Sequence, residues 1–139
     1  NDAVHYGDED WGGKNFARYG ADSTGYIQAM NHEKEIINTL SGDLDPNKIR
    51  SFCNFTVEEE NYKEYKWTWC GRYSVPFGLM TAWNLNKIQN KKALTGIPIS
   101  YSSSIDHKPI KVDDIGMGIT APAHIRHWVG YAVVAYKNN

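Results

Sequence analysis

Residues 51–57 read Ser-Phe-Cys-Asn-Phe-Thr-Val, and residues 64–70 read Glu-Tyr-Lys-Trp-Thr-Trp-Cys. The first stretch is rich in aromatic and β-branched types, which favour strands. The second alternates, with Tyr65, Trp67 and Trp69 on one side and Lys66, Thr68 and Cys70 on the other. Two extended segments joined by the polar residues 58–63 predict a hairpin. Cys53 and Cys70 then lie near its base on neighbouring strands. Two cysteines in a short chain, without CxxC spacing, fit one structural disulfide better than a metal site. His5, His32, His107, His124 and His127 show no paired spacing with either cysteine, so no metal and no cofactor is expected.

Outward from this hairpin, Gly42-Asp43-Leu44-Asp45-Pro46-Asn47 is a turn signal. Residues 24–41 fit a short helix or a strand, and periodicity does not decide between them. Ser74-Val75-Pro76 opens a helix with Ser74 as N-cap, and Thr95-Gly96 closes it. A short strand follows at Ile97–Tyr101, then a strand pair at 110–112 and 115–119. The apolar run His127–Tyr136 predicts a central strand buried on both faces. Residues 1–23 carry acidic residues and glycines with little periodicity and read as an irregular arm. The expected architecture is a single domain over 1–139, mainly β with one helix (α+β). Residues 24–139 would form a small five-stranded Greek-key barrel, an OB-fold.

At 139 residues the chain has the length of one domain, with 13% aromatic residues led by nine Tyr and five Trp. Fifteen basic against sixteen acidic residues provide no cationic excess to displace phosphate counterions, which argues against nucleic acid. No stretch approaches the 18 or so apolar residues of a membrane helix. The chain begins at Asn1 and shows no signal peptide, and it is read as a processed, secreted product. Asp8, Glu9 and Asp10 lack the ligand spacing of a calcium loop. The pairs Asp113-Asp114 and Asp43/Asp45 read as solvated acids, and Asn54-Phe55-Thr56 is a glycosylation sequon. A cysteine hydrolase built on Cys70 and His127 is the catalytic rival, because Cys70-Gly71 precedes a helix and His127 begins a strand. Cys70 lies before the Pro76 turn, however, and a disulfide to Cys53 would occupy it. No enzyme and no catalytic residues are therefore expected. A protein-interaction module without glycan is the other rival.

The order of elements resembles the binding subunits of pertussis-type, subtilase-cytotoxin and typhoid-toxin-like bacterial toxins. The residues that carry the likeness are Ile36-Ile37, Gly42-Asp43-Leu44-Asp45, Phe52-Cys53, Cys70, Phe77–Thr95-Gly96, Pro98-Ile99 and Val129-Gly130, with Asp10-Trp11-Gly12-Gly13 at the start. The resemblance implies an OB-fold and a homopentameric ring carrying a catalytic A subunit. It also implies secretion through a bacterial periplasm and binding of sialylated or other cell-surface glycans. The family's sialic-acid serine falls near Asn31-His32, and its glycan-contacting tyrosine near Tyr101–Ser103. Asn31, His32, Tyr101, Ser102 and Ser103, with Ser104 beside them, are the expected glycan contacts. A ring of weak sites would gain avidity through effective concentration.

Overall fold

The computed structural model describes residues 2–8, 11, 14–116, 118–120 and 122–138; Glu9, Asp10, Gly12 and Gly13 of the acidic start lie outside them. Strands β1 (Asp2–Gly7), β2 (Gly42–Asp43), β3 (Leu94–Ser103) and β4 (His127–Asn138) form one antiparallel sheet in the order β1-β4-β3-β2. Helices α1 (Ser23–Thr39), α2 (Pro46–Thr56) and α3 (Ser74–Ile88) complete an α+β architecture. The five-stranded Greek-key barrel is not confirmed: the described residues build a four-stranded sheet.

The main departure lies in the stretch that opened the sequence reading. Residues 51–56 are helical, the end of α2. Asp45 accepts hydrogen bonds from the Asn47 and Lys48 amides and Pro46 fills the first turn, a strong helix start inside what reads as a turn. Ile49, Phe52 and Thr56 recur at helical spacing and are buried. The strand expected over 64–70 does not form: Trp69 makes a single bridge, and its partner is β1. The His5 amide donates to the Thr68 carbonyl at 3.0 Å and the Cys70 amide to Ala3 at 3.2 Å, flanking a Val4–Trp69 bridge. A single bridge, Val57 to Tyr65, is what forms of the hairpin. With Cys53 on a helix and Cys70 beside β1, the disulfide does not form, and both cysteines are free.

Other boundaries move for local reasons. The arm expected over 1–23 begins with β1, whose Ala3, Val4 and Tyr6 are fully buried. Residues 24–41 are mostly α1, capped by Asp22, which accepts from the Gly25 amide at 2.8 Å. Helix α3 ends at Ile88, and its N-terminus has no side-chain cap from Ser74. Thr95-Gly96 belongs to β3; a Cβ at Gly96 would sit 2.0 Å from the Leu40 carbonyl oxygen. At 110–119 one bridge, Lys111 to Ile119, spans a short 3-10 turn at Asp113–Ile115. Strand β4 is internal to the sheet as expected, but only one face is covered: Trp128, Gly130 and Ala132 are buried while Tyr131 and Val133 are exposed.

The core runs through Val4, Tyr6, Ala29, Ile36, Ile37, Leu40, Phe52, Trp67, Trp69, Trp128 and Ala132. Glu33 lies at its centre, fully buried. Backbone and side chain meet closely here: a Cβ at Gly130 would lie 2.3 Å from the Tyr101 hydroxyl and 3.2 Å from Glu33 Oε2. Gly130→Ala should therefore destabilise the protein by about 1–3 kcal/mol through overpacking. The check is a lower urea midpoint at unchanged m-value.

Candidate functional site

Glu33 organises the region around the candidate site. Its Oε1 accepts the indole N–H of Trp67 at 2.5 Å and of Trp69 at 2.6 Å, and its Oε2 accepts the Val4 amide at 3.2 Å. Burial pushes its pKa up to about 7, against the pull of these donors. The Val4 amide is thus committed to a side chain where the β1–β4 ladder slips register, between Asp2 and His5. One carboxyl group so fixes Val4, between Asp2 and His5, and Trp69, next to Cys70.

Val4 and Trp69 are buried, while their neighbours His5 and Cys70 are half-buried and exposed, respectively. A carboxylate oxygen of Asp2, a ring nitrogen of His5 and Sγ of Cys70 all lie within 4.8 Å of one another. Asp2 and Cys70 are exposed and His5 is half-buried. Burial holds the His5 pKa below its ordinary value; Asp2 opposes this, and His127 adds to it. The imidazole is accordingly neutral at pH 7 and able to accept a proton. Its Nε2 is buried without a hydrogen-bond partner. Of the two thiols, Cys53 is the more buried, and burial pushes its pKa up. Cys70 is the accessible thiol, with an imidazole and a carboxylate beside it.

The expected base, His127, sits one layer away. Trp11 stacks on its ring at 4.1 Å and lies 4.9 Å from His5, so the indole touches both imidazoles. Arg126 pairs with Asp8 at 2.9 Å and pins the start of β4 to the end of β1. No spacing rule links residues 2, 5 and 70, and the structure alone brings them together.

The expected glycan contacts divide into two groups. Asn31 is exposed on α1, whereas His32 packs its ring edge-on against Trp67 at 4.5 Å and Phe55 at 5.6 Å. Tyr101 is largely buried, and burial together with the Glu33 charge raises its pKa. Ser103 is fully buried, its hydroxyl shared with Tyr26 at 3.0 Å and Asp106 at 3.1 Å. Ser104 accepts the Val129 amide at 3.0 Å. Among the described residues, no hydrogen bond or ring contact joins Asn31 or His32 to Tyr101–Ser103. Ser102 holds His107 Nε2 at 2.8 Å, a hydroxyl–imidazole pair at the end of β3.

No family model matches the chain, and no curated protein or solved structure matches it.

Proposed function

We propose that this protein is a thiol-dependent hydrolase acting through Cys70, with His5 as general base and Asp2 as the carboxylate beside it. The observation that carries this reading is the convergence of the three reactive groups within 4.8 Å, built from two segments far apart in sequence. Sγ of Cys70 attacks a carbonyl carbon while His5 takes the thiol proton and then delivers it to the leaving group. The thioester so formed is cleaved by a water that His5 deprotonates. Separations of this size before substrate binds are compatible with the chemistry, since catalytic hydrogen bonds tighten in the complex. A carboxylate near the ring favours the imidazolium that forms during attack.

A second reading, a serine hydrolase at Ser102–His107, is favoured by the 2.8 Å contact between them. It is weaker because Asp106, the adjacent acid, bonds Ser103 and Ser102 instead of orienting the imidazole. Glycan binding as an oligomeric, secreted toxin-like subunit rests on the sequence resemblance alone. Of its five expected contacts, only Asn31 is exposed.

p-Nitrophenyl acetate is the test substrate. The expected result is a burst of nitrophenolate approaching one equivalent of chain, followed by slower turnover. Because the His5 pKa is lowered, its base form persists below pH 6.5, and the burst rate should fall only at pH values below that. A release that is linear from the first seconds, with no burst at any pH, would sink this reading.

A further inference from the structure

We propose that Asp2, His5 and Cys70 bind one zinc ion with a fourth coordination position left open, and that the bound ion holds the Cys70 sulfur out of reaction. The inhibitory half of this proposal rests on the nucleophile reading above; the binding half does not.

The donor set selects the metal class. A thiolate, an imidazole nitrogen and one carboxylate oxygen suit a borderline-soft cation, whereas calcium and magnesium require more oxygen ligands than one carboxylate supplies. Three protein ligands with an open position is the arrangement of reactive, not structural, zinc sites. Zn–S bonds of about 2.3 Å and Zn–N and Zn–O bonds of about 2.0–2.2 Å place ligand atoms roughly 3.5 Å apart. The donors here lie within 4.8 Å of one another. The closure needed is on the order of 1 Å, within reach of side-chain rotation at Asp2 and Cys70, both exposed. His5 meets a second requirement. A ring nitrogen of His5 is one of the three converging donors, and its Nε2 makes no hydrogen bond that would have to be given up. Binding releases one proton, from the Cys70 thiol, as the Zn–S bond forms. The sulfur lone pair that would attack a carbonyl is then committed to the metal.

Cobalt(II) serves as the visible probe. Titrating the 139-residue chain with Co²⁺ should produce a thiolate-to-cobalt charge-transfer band that saturates at one equivalent and is erased by added Zn²⁺. The band should vanish in Cys70→Ser and persist in Cys53→Ser. Asp2→Asn and His5→Gln should each weaken binding at least tenfold, with circular dichroism confirming that all four variants fold. Zn²⁺ should abolish the nitrophenolate burst at the stoichiometry that erases the cobalt band. No charge-transfer band, or one retained in Cys70→Ser, overturns the site. A band without a burst leaves the metal site standing and removes the hydrolase reading. A burst unaffected by stoichiometric Zn²⁺ removes the inhibitory half.

Discussion

Glu33→Ala should destabilise the protein by about 3–5 kcal/mol, a cost typical of breaking a buried polar network and leaving its partners unpaired. The residue is fully buried and holds three N–H donors, from Trp67, Trp69 and Val4. Alanine leaves all three unsatisfied and opens a cavity beneath two tryptophans. The urea midpoint measures the loss. Glu33→Gln should lose less. Its amide oxygen can take both indoles, but its NH₂ group then faces the Val4 amide, donor against donor. The pH dependence separates the two kinds of loss. A folded pKa of about 7 against 4.5 for the ordinary carboxyl means the folded state binds more protons between these values. Glu33 therefore contributes stability at low pH that is lost as pH rises from 4.5 through 7, and Glu33→Gln should lack that loss. His5 and His32 work in the opposite direction. Their pKa values are lowered chiefly by burial, so the stability tied to their neutral forms is lost as pH falls below 6.5.

Cys70→Ser should remove the acyl burst altogether, and His5→Gln should slow it by about 10²–10⁴-fold, the range ascribed to a general base. Cys70 is exposed, so Cys70→Ser should unfold within about 0.5 kcal/mol of the parent, as surface substitutions do, whereas His5 is half-buried and His5→Gln should cost more. His127→Gln provides the contrast. His127 stacks on Trp11 and is not one of the three converging donors, so its loss should leave most of the burst rate intact. If His127→Gln is as damaging as His5→Gln, the base has been misassigned.

The last strand was legible from its long apolar run, and the start of α3 from Ser74-Val75-Pro76. The rest was hidden for identifiable reasons. Helix α1 carries a buried stripe at Ala29, Glu33, Ile36 and Ile37 whose second member is charged. A glutamate in the apolar stripe blurs helical periodicity, and the indoles of Trp67 and Trp69 together with the Val4 amide explain its presence. Helix α2 announced itself through Asp45-Pro46, but those residues also spell a turn. The Phe and Thr residues that followed favoured a strand until Ile49, Phe52 and Thr56 were placed on one helical face. In the sequence, Cys70 already stands out as the nucleophile of a cysteine-hydrolase reading. The sequence points to His127 as its base because a histidine opening a strand is visible in one dimension, whereas the pairing of β1 with Trp69 is not. Asp2 and His5 fell in a segment without periodicity, where a register slip disrupts the alternation that marks a strand. The serines at 102–104 satisfy the polar inventory of a sugar site in sequence, but in space they are largely spent on Tyr26, Asp106, His107 and Val129.

The most direct measurement is mass-spectrometric mapping of the acetyl group after a brief, acid-quenched reaction with p-nitrophenyl acetate. The expected result is one acetyl group on the peptide containing Cys70, absent when His5 is replaced by Gln and the reaction is quenched at the same early time. Acetylation of Ser102 would transfer the chemistry to the Ser102–His107 pair. Acetyl groups spread over lysines at the same rate in parent and His5→Gln chains would contradict a nucleophile at Cys70 activated by His5.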